Sequence, residues 1–124
     1  MQHTILILDD EKRICESLAD YLTDMGHLVF AYEDGAAALD ALRAEDFTVA
    51  IVDIRLPDIG GFAFIERASH INPELRYIIH TGSLDCANDR LQHGAANRIE
   101  AVLTKPVGRL QDFLDILDRV GCAK

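Results

Sequence analysis

Five short apolar runs divide the chain, at residues 4–8, 28–32, 47–52, 76–80 and 99–103, each rich in the β-branched and large apolar residues that favour strands. Between them the period changes. Ile14, Leu18, Tyr21, Leu22 and Met25 recur at three- and four-residue steps after Glu11, and Gly26 stops the pattern, which predicts an amphipathic helix. Residues 35–44 predict a helix of small residues. A third helix, through Phe62, Phe64, Ile65 and Ala68, is introduced by the turn Leu56-Pro57-Asp58-Ile59-Gly60-Gly61 and ended by Asn72-Pro73. A weaker helix is expected at 86–93, and Leu110, Phe113, Leu114 and Leu117 mark one face of a last helix over 109–120. Strands that are apolar throughout, alternating with helices, predict a doubly wound α/β domain with a parallel sheet covered on both sides.

Four of the five strands run into polar residues that the strand pattern does not require: Asp9-Asp10, Asp53, Thr81 and Lys105. In an open parallel sheet the carboxyl ends of the strands gather along one edge, and ligands bind in the crevice there. Asp9, Asp10 and Asp53 brought together repel unless one takes a proton or a cation balances them, and Lys105 alone is too little charge. Mg2+ fits that need, because it prefers one or two carboxylates plus water and leaves positions for phosphate oxygens. With positive charge over the crevice, a carboxylate becomes a nucleophile toward phosphorus and forms an acyl phosphate. Asp53 stands alone at the end of a central strand and is the expected acceptor, with Asp9 and Asp10 holding the metal. Lys105, the Thr81 hydroxyl and backbone amides would stabilise the phosphoryl oxygens.

Composition narrows the alternatives. Asp and Glu number 21 against 12 Lys and Arg, without a basic run, which argues against direct nucleic-acid or anionic-membrane binding. No apolar run approaches a bilayer span, and the Met1 region lacks a secretory pattern, so a cytoplasmic location is expected. Cys15, Cys86 and Cys122 are expected as reduced thiols, and the five histidines show no ligand pairing. Read singly, Asp9-Asp10 is a helix cap, Asp53 a turn opener, Lys105-Pro106 a common dipeptide, and His80 and Cys86 ordinary strand and loop residues. The coincidence of the polar residues at the strand ends is what favours a site.

These residues, Asp9-Asp10, Asp53 with Leu56-Pro57, Thr81-Gly82 and Lys105-Pro106, in this order and spacing, resemble a response-regulator receiver domain from end to end. The resemblance implies a flavodoxin-like (βα)5 fold with strand order 2-1-3-4-5, spanning residues 1–124 without an output domain. It implies Asp53 as phosphoacceptor, Asp10 and Asp53 as direct Mg2+ ligands, Asp9 as a ligand through water and the Arg55 carbonyl as a backbone ligand. Thr81 and Lys105 would hold the phosphoryl oxygens, Pro106 would follow a cis peptide, and Arg55 and Ser83 would tune the lifetime of the acyl phosphate. The expected partners are a histidine kinase or histidine phosphotransfer protein as donor and a downstream protein target; monomer and homodimer are both compatible. Catalysis would be confined to the chain's own phosphorylation and dephosphorylation.

The chain departs from the family pattern in three places. Val102 stands where an aromatic switch residue is frequent, so the usual coupling to Thr81 lacks its aromatic member. Gly60-Gly61 replaces an acidic residue followed by glycine, which should loosen the start of the third helix. The stretch from Gly94-Ala95 to Lys105 is a few residues longer than usual. A degenerate receiver that binds partners without phosphorylation is the alternative reading. A haloacid-dehalogenase-type phosphatase would need Asp-x-Asp after the first strand, which Asp9-Asp10-Glu11 does not supply, and acidic residues there would repel a flavin phosphate.

Overall fold

The computed structural model describes residues 2–55, 60–82, 98–105 and 110–121. Its elements are β1 (Thr4–Leu8), α1 (Lys12–Asp24), β2 (Leu28–Tyr32), α2 (Gly35–Ala44), β3 (Val49–Val52), α3 (Gly61–Ile71), β4 (Arg76–Thr81), β5 (Ile99–Thr104) and α4 (Gln111–Gly121). The five strands form one parallel sheet in the order β2-β1-β3-β4-β5, as expected. The helix expected at 86–93 lies outside the described residues.

Alternation along the strands divides the core between the two faces of the sheet. Leu6, Leu8, Ala50, Val52, Tyr77 and Ile79 pack against Ala38, Leu39 and Leu42 of α2 and Phe64, Ile65 and Ala68 of α3. Ile5, Ile7, Val49, Ile51 and Ile78 point the other way, against Cys15, Leu18 and Leu22 of α1 and Phe113, Ile116 and Leu117 of α4. Every residue of β3 is buried, which explains its unbroken apolar run.

Two expectations need correction. β2 is apolar but not covered on both sides: it is an edge strand, and Leu28 and Phe30 are 51% and 38% exposed. β3 is shorter than the apolar run at 47–52: Phe47 precedes the sheet, and Thr48 bonds to Thr4 O and Arg76 N but falls outside the paired register, which begins at Val49. Phe47 is nevertheless buried and meets Phe30 edge-to-face at 5.5 Å.

Helix ends are set by local chemistry. Asp34 caps α2 by accepting from the Ala37 N–H at 2.8 Å. Gly60, at the N-cap of α3 with φ +77°, has no side chain to cap with, and backbone bonds hold the helix start instead, Gly61 N to Ile54 O at 3.0 Å and Phe64 N to Gly60 O at 3.1 Å. Gly61 has a different task. A methyl on it would overlap Ile54 Cα and lie 2.6 Å from the Asp53 carbonyl oxygen, so α3 presses directly on the backbone that carries Asp53.

His80, on β4, is an exception to the rule that buried polar groups find partners. It is 5% exposed, neither ring nitrogen has a hydrogen-bond partner among the described residues, and the ring meets Phe113 of α4 edge-on at 5.2 Å. Burial, reinforced by the Lys105 charge, pushes its pKa from 6.5 down to about 4, against the pull of Asp53 and Glu11.

Two outcomes are expected. Gly61→Ala should lower the unfolding free energy by roughly 1–3 kcal/mol in urea titration, because backbone lies where the methyl must go. Between the unfolded His80 pKa of 6.5 and the folded value of about 4, the unfolded chain binds a proton that the folded chain refuses. That part of the stability is intact above the window and declines as the pH falls through it, by about 3 kcal/mol at pH 4. His80→Leu should remove this component, so the difference in stability between variant and wild type changes by that amount between pH 7 and 4.

Candidate functional site

The site lies at the carboxyl edge of the sheet, where the ladder continues one residue past each strand. Asp9 N donates to Tyr32 O at 3.1 Å, Asp53 N to Leu8 O at 2.9 Å, and Lys105 N to Thr81 O at 2.7 Å. These bonds hold the three polar residues in the register of the strands that precede them. The alternation also continues: Ile5 and Ile7 lead to Asp9, Val49 and Ile51 to Asp53, and Ala101 and Leu103 to Lys105, so all three follow residues of the α1/α4 face.

Lys105 Nζ lies 2.9 Å from Asp9 Oδ2, 3.0 Å from Asp53 Oδ2 and 2.8 Å from Glu11 Oε1. The Lys105, Asp9 and Asp53 side chains are 9%, 3% and 6% exposed, whereas that of Glu11 is 56% exposed. The other carboxylate oxygens meet backbone: Asp9 Oδ1 accepts from Glu11 N at 2.9 Å and Asp53 Oδ1 from Arg55 N at 3.0 Å. Burial raises the Asp9 pKa above its ordinary 3.8, despite the opposing Lys105 and Glu11 hydrogen bonds, with the Asp53 charge adding to the rise. Burial also works against the Lys105 ammonium, but its bonds to Glu11, Asp9 and Asp53 outweigh that and raise its pKa.

Asp9, Asp10 and Asp53 each present a carboxylate oxygen within 4.8 Å of the others, with Asp9 and Asp53 buried and Asp10 exposed. This donor set suits a small, hard divalent cation: all oxygen, excess negative charge, and one side open to water for the remaining ligands. The expected pair of Asp9 and Asp10 is thus divided in its surroundings. Asp9 is tied to Lys105 inside, and Asp10 faces solvent.

Thr81 is fully buried at the end of β4, opposite Thr104. Arg55 directs its backbone N–H at Asp53 and is exposed. Val102 pairs with Ile79 and packs, half-buried, against the α2/α3 side of the core, so it belongs to the sheet and not to the acidic cluster. Ser83, Pro106 and the Leu56-Pro57 turn lie outside the described residues. Glu11 is the residue that sequence reasoning missed. An acidic residue after Asp9-Asp10 reads as first-turn helix chemistry, yet its side chain joins Lys105 across the sheet edge.

The described residues contain no helix long and apolar enough to cross a membrane. Comparison with known proteins agrees with the geometry. Residues 5–118 match the family described as response regulator receiver domain. The chain is 33% identical over 102 residues to a response regulator receiver protein of Anaeromyxobacter, covering 82% of this chain and 42% of that one. It is 28% identical over 116 residues to the response regulator receiver protein CpdR of Brucella abortus, covering 94% of each. Among solved structures, a CheY-like receiver domain protein from Methanospirillum hungatei superposes with a TM-score of 0.84 at 29% identity, over 98% of this chain and 95% of that one. The sheet order, the acidic cluster joined to Lys105 and the match over residues 5–118 lead to one conclusion: the chain belongs to the response regulator receiver domain family.

Proposed function

We propose that the chain is a phosphorylation-operated switch of two-component signalling, in which Asp53 accepts a phosphoryl group from a phosphohistidine of a histidine kinase or histidine phosphotransfer protein. The observation that carries this reading is Asp53 itself: a carboxylate at the end of a central strand, 3.0 Å from a buried ammonium and grouped with two further carboxylates. Asp53 attacks phosphorus, the new O–P bond forms as the P–N bond of the donor breaks, and the donor imidazole leaves with the electron pair. Lys105 neutralises charge on the transferred oxygens, and the Thr81 hydroxyl donates to another. The Arg55 N–H, at 3.0 Å, orients the Asp53 carboxylate. Asp10 and Asp53 would hold Mg2+ directly, with Asp9 through water and the Arg55 carbonyl as a further ligand. Bound there, Mg2+ supplies positive charge against the phosphoryl oxygens.

The Arg55 side chain, exposed two residues past the acceptor, and Ser83 are proposed to tune hydrolysis of the acyl phosphate, and Pro106 to follow a cis peptide that aims Lys105. Phosphorylation then changes protein contacts with a downstream target. Val102 favours a second reading, in which the chain binds partners independently of phosphorylation, because the aromatic member of the usual switch is replaced by a small residue within the sheet.

Incubation with acetyl phosphate, followed by intact mass, separates the two. A single phosphoryl adduct that requires both Mg2+ and Asp53, and is lost in Asp53→Asn, is the expected result. No adduct on the wild-type protein, together with no Mg2+ binding, would overturn the reading and favour the phosphorylation-independent one. Lys105→Met should slow adduct formation at saturating Mg2+ by about 100-fold, the scale on which loss of one charge-stabilising donor acts.

A further inference from the structure

The outer edge of β2 lacks the devices that keep a sheet edge from pairing. Its residues, Leu28–Tyr32, include no charge and no proline, and its register with β1 is unbroken, so no bulge twists it away. The opposite edge of the sheet is guarded: β5 bears Glu100, paired with Arg76, and its ladder shifts register at Tyr77/Ile78. On β2, Leu28, Phe30 and Ala31 are exposed. Beside Leu28 and Phe30 a shallow groove of about 410 Å³ leads to Leu42 of α2, so the α2/α3 face has room there for side chains from outside.

The backbone says what fits. Leu28 donates its N–H to His3 O at 3.0 Å and Tyr32 O accepts from Asp9 N at 3.1 Å, so residues 28, 30 and 32 turn their amide groups toward β1. The direction alternates along a strand, and Val29 and Ala31 turn theirs outward, where no described strand pairs with them. An antiparallel copy of the same strand, related by a two-fold axis at Phe30, sets Val29 of each copy opposite Ala31 of the other, and each such pair exchanges both bonds. Phe30 then faces Phe30 and Leu28 faces Tyr32, apolar against apolar, on the face where the groove leaves room. Charge selects the same direction. Glu33 and Asp34 follow the strand, and Gly26 and His27 precede it. Antiparallel pairing lays each acidic end beside the end of the other copy that has no acid, whereas parallel pairing would set the acidic ends together.

We propose that β2 is a self-association edge, on which a second copy of the chain adds its own β2 antiparallel about Phe30 and joins the two sheets into one. The contact uses the same residues on both copies, and because β5 is guarded it closes as a dimer and does not continue into a fibre. Each chain carries a formal net charge of -9, so general repulsion opposes the contact and added salt strengthens it. The edge is separated from β3, which leads to Asp53, by β1, and its pairing does not depend on the proposed phosphoacceptor role.

Sedimentation equilibrium of the full chain over a range of protein concentrations tests this, with thermal melts confirming that each variant is folded. Wild type should pass from the mass of one chain to that of two as concentration rises. Ala31→Pro removes an N–H that faces away from β1, so the monomer keeps its ladder while association weakens by about tenfold or more. Phe30→Lys and Phe30→Glu each set like charges across the axis and should stay monomeric alone. Their equimolar mixture should recover the mass of two chains, because residue 30 meets its own counterpart in this register. Wild type that stays at one chain mass at every concentration, or grows past two, would overturn the proposal. So would a dimer that survives in Ala31→Pro and in both Phe30 variants, or a mixture of those two variants that associates no more than either alone.

Discussion

One ammonium group governs the carboxyl edge of this sheet. Lys105 Nζ stands against the carboxylates of Asp9, Glu11 and Asp53, with Asp10 beside them, and is the one cation paired with the cluster among the described residues. Two of its partners are buried, and a buried carboxylate without a counter-ion is among the most destabilising features a small domain can carry. Burial, with the Asp53 charge adding to it, raises the Asp9 pKa against the opposing hydrogen bonds of Lys105 and Glu11. An edge in that condition holds its shape through Lys105 and has a standing attraction for more positive charge. Those two properties support the metal-dependent phosphoacceptor role proposed for Asp53.

The rest of the fold serves to place these groups. Parallel pairing sets the ends of β1 and β3 side by side, and the ladder runs one residue further at Asp9 and Asp53, fixing their backbones before any side chain acts. Lys105 reaches the cluster from β5, two strands away from β3, held by its own N–H to Thr81. Gly61 lets α3 close on the backbone of Asp53 and Ile54 from the opposite side. Helices α1 and α4 bury the face that these residues extend, and the His80 ring is wedged against Phe113 within it. A rigid, largely apolar frame thus supports a small edge of concentrated charge.

Much of this was legible in the residue pattern, for reasons that differ by element. β1, β2 and α2 coincide with their expected bounds: Asp9 directly follows β1, Glu33 and Asp34 separate β2 from α2, and the Asp34 side chain caps the start of α2. β3 was expected too long because Phe47 and Thr48 are as strand-prone as Val49 to Val52, although Phe47 is buried as a loop residue. The exposure of Leu28 and Phe30 was not legible, since an apolar run does not say whether its strand is central or at an edge. The convergence of Asp9, Asp53 and Lys105 came from strand-end logic alone. The division of Asp9 from Asp10 and the capture of Lys105 by Glu11 depend on where side chains turn after the strands end, and no spacing encodes that.

The most direct test of the central role of Lys105 is the unfolding free energy of wild type and Lys105→Met by urea titration, each with and without Mg2+. Without the metal the variant should lose about 3 kcal/mol, the scale for breaking a buried ion pair, and Mg2+ should stabilise the variant more than the wild type because it takes over the missing positive charge. A variant as stable as wild type without Mg2+, or an equal Mg2+ effect on both proteins, would contradict the account.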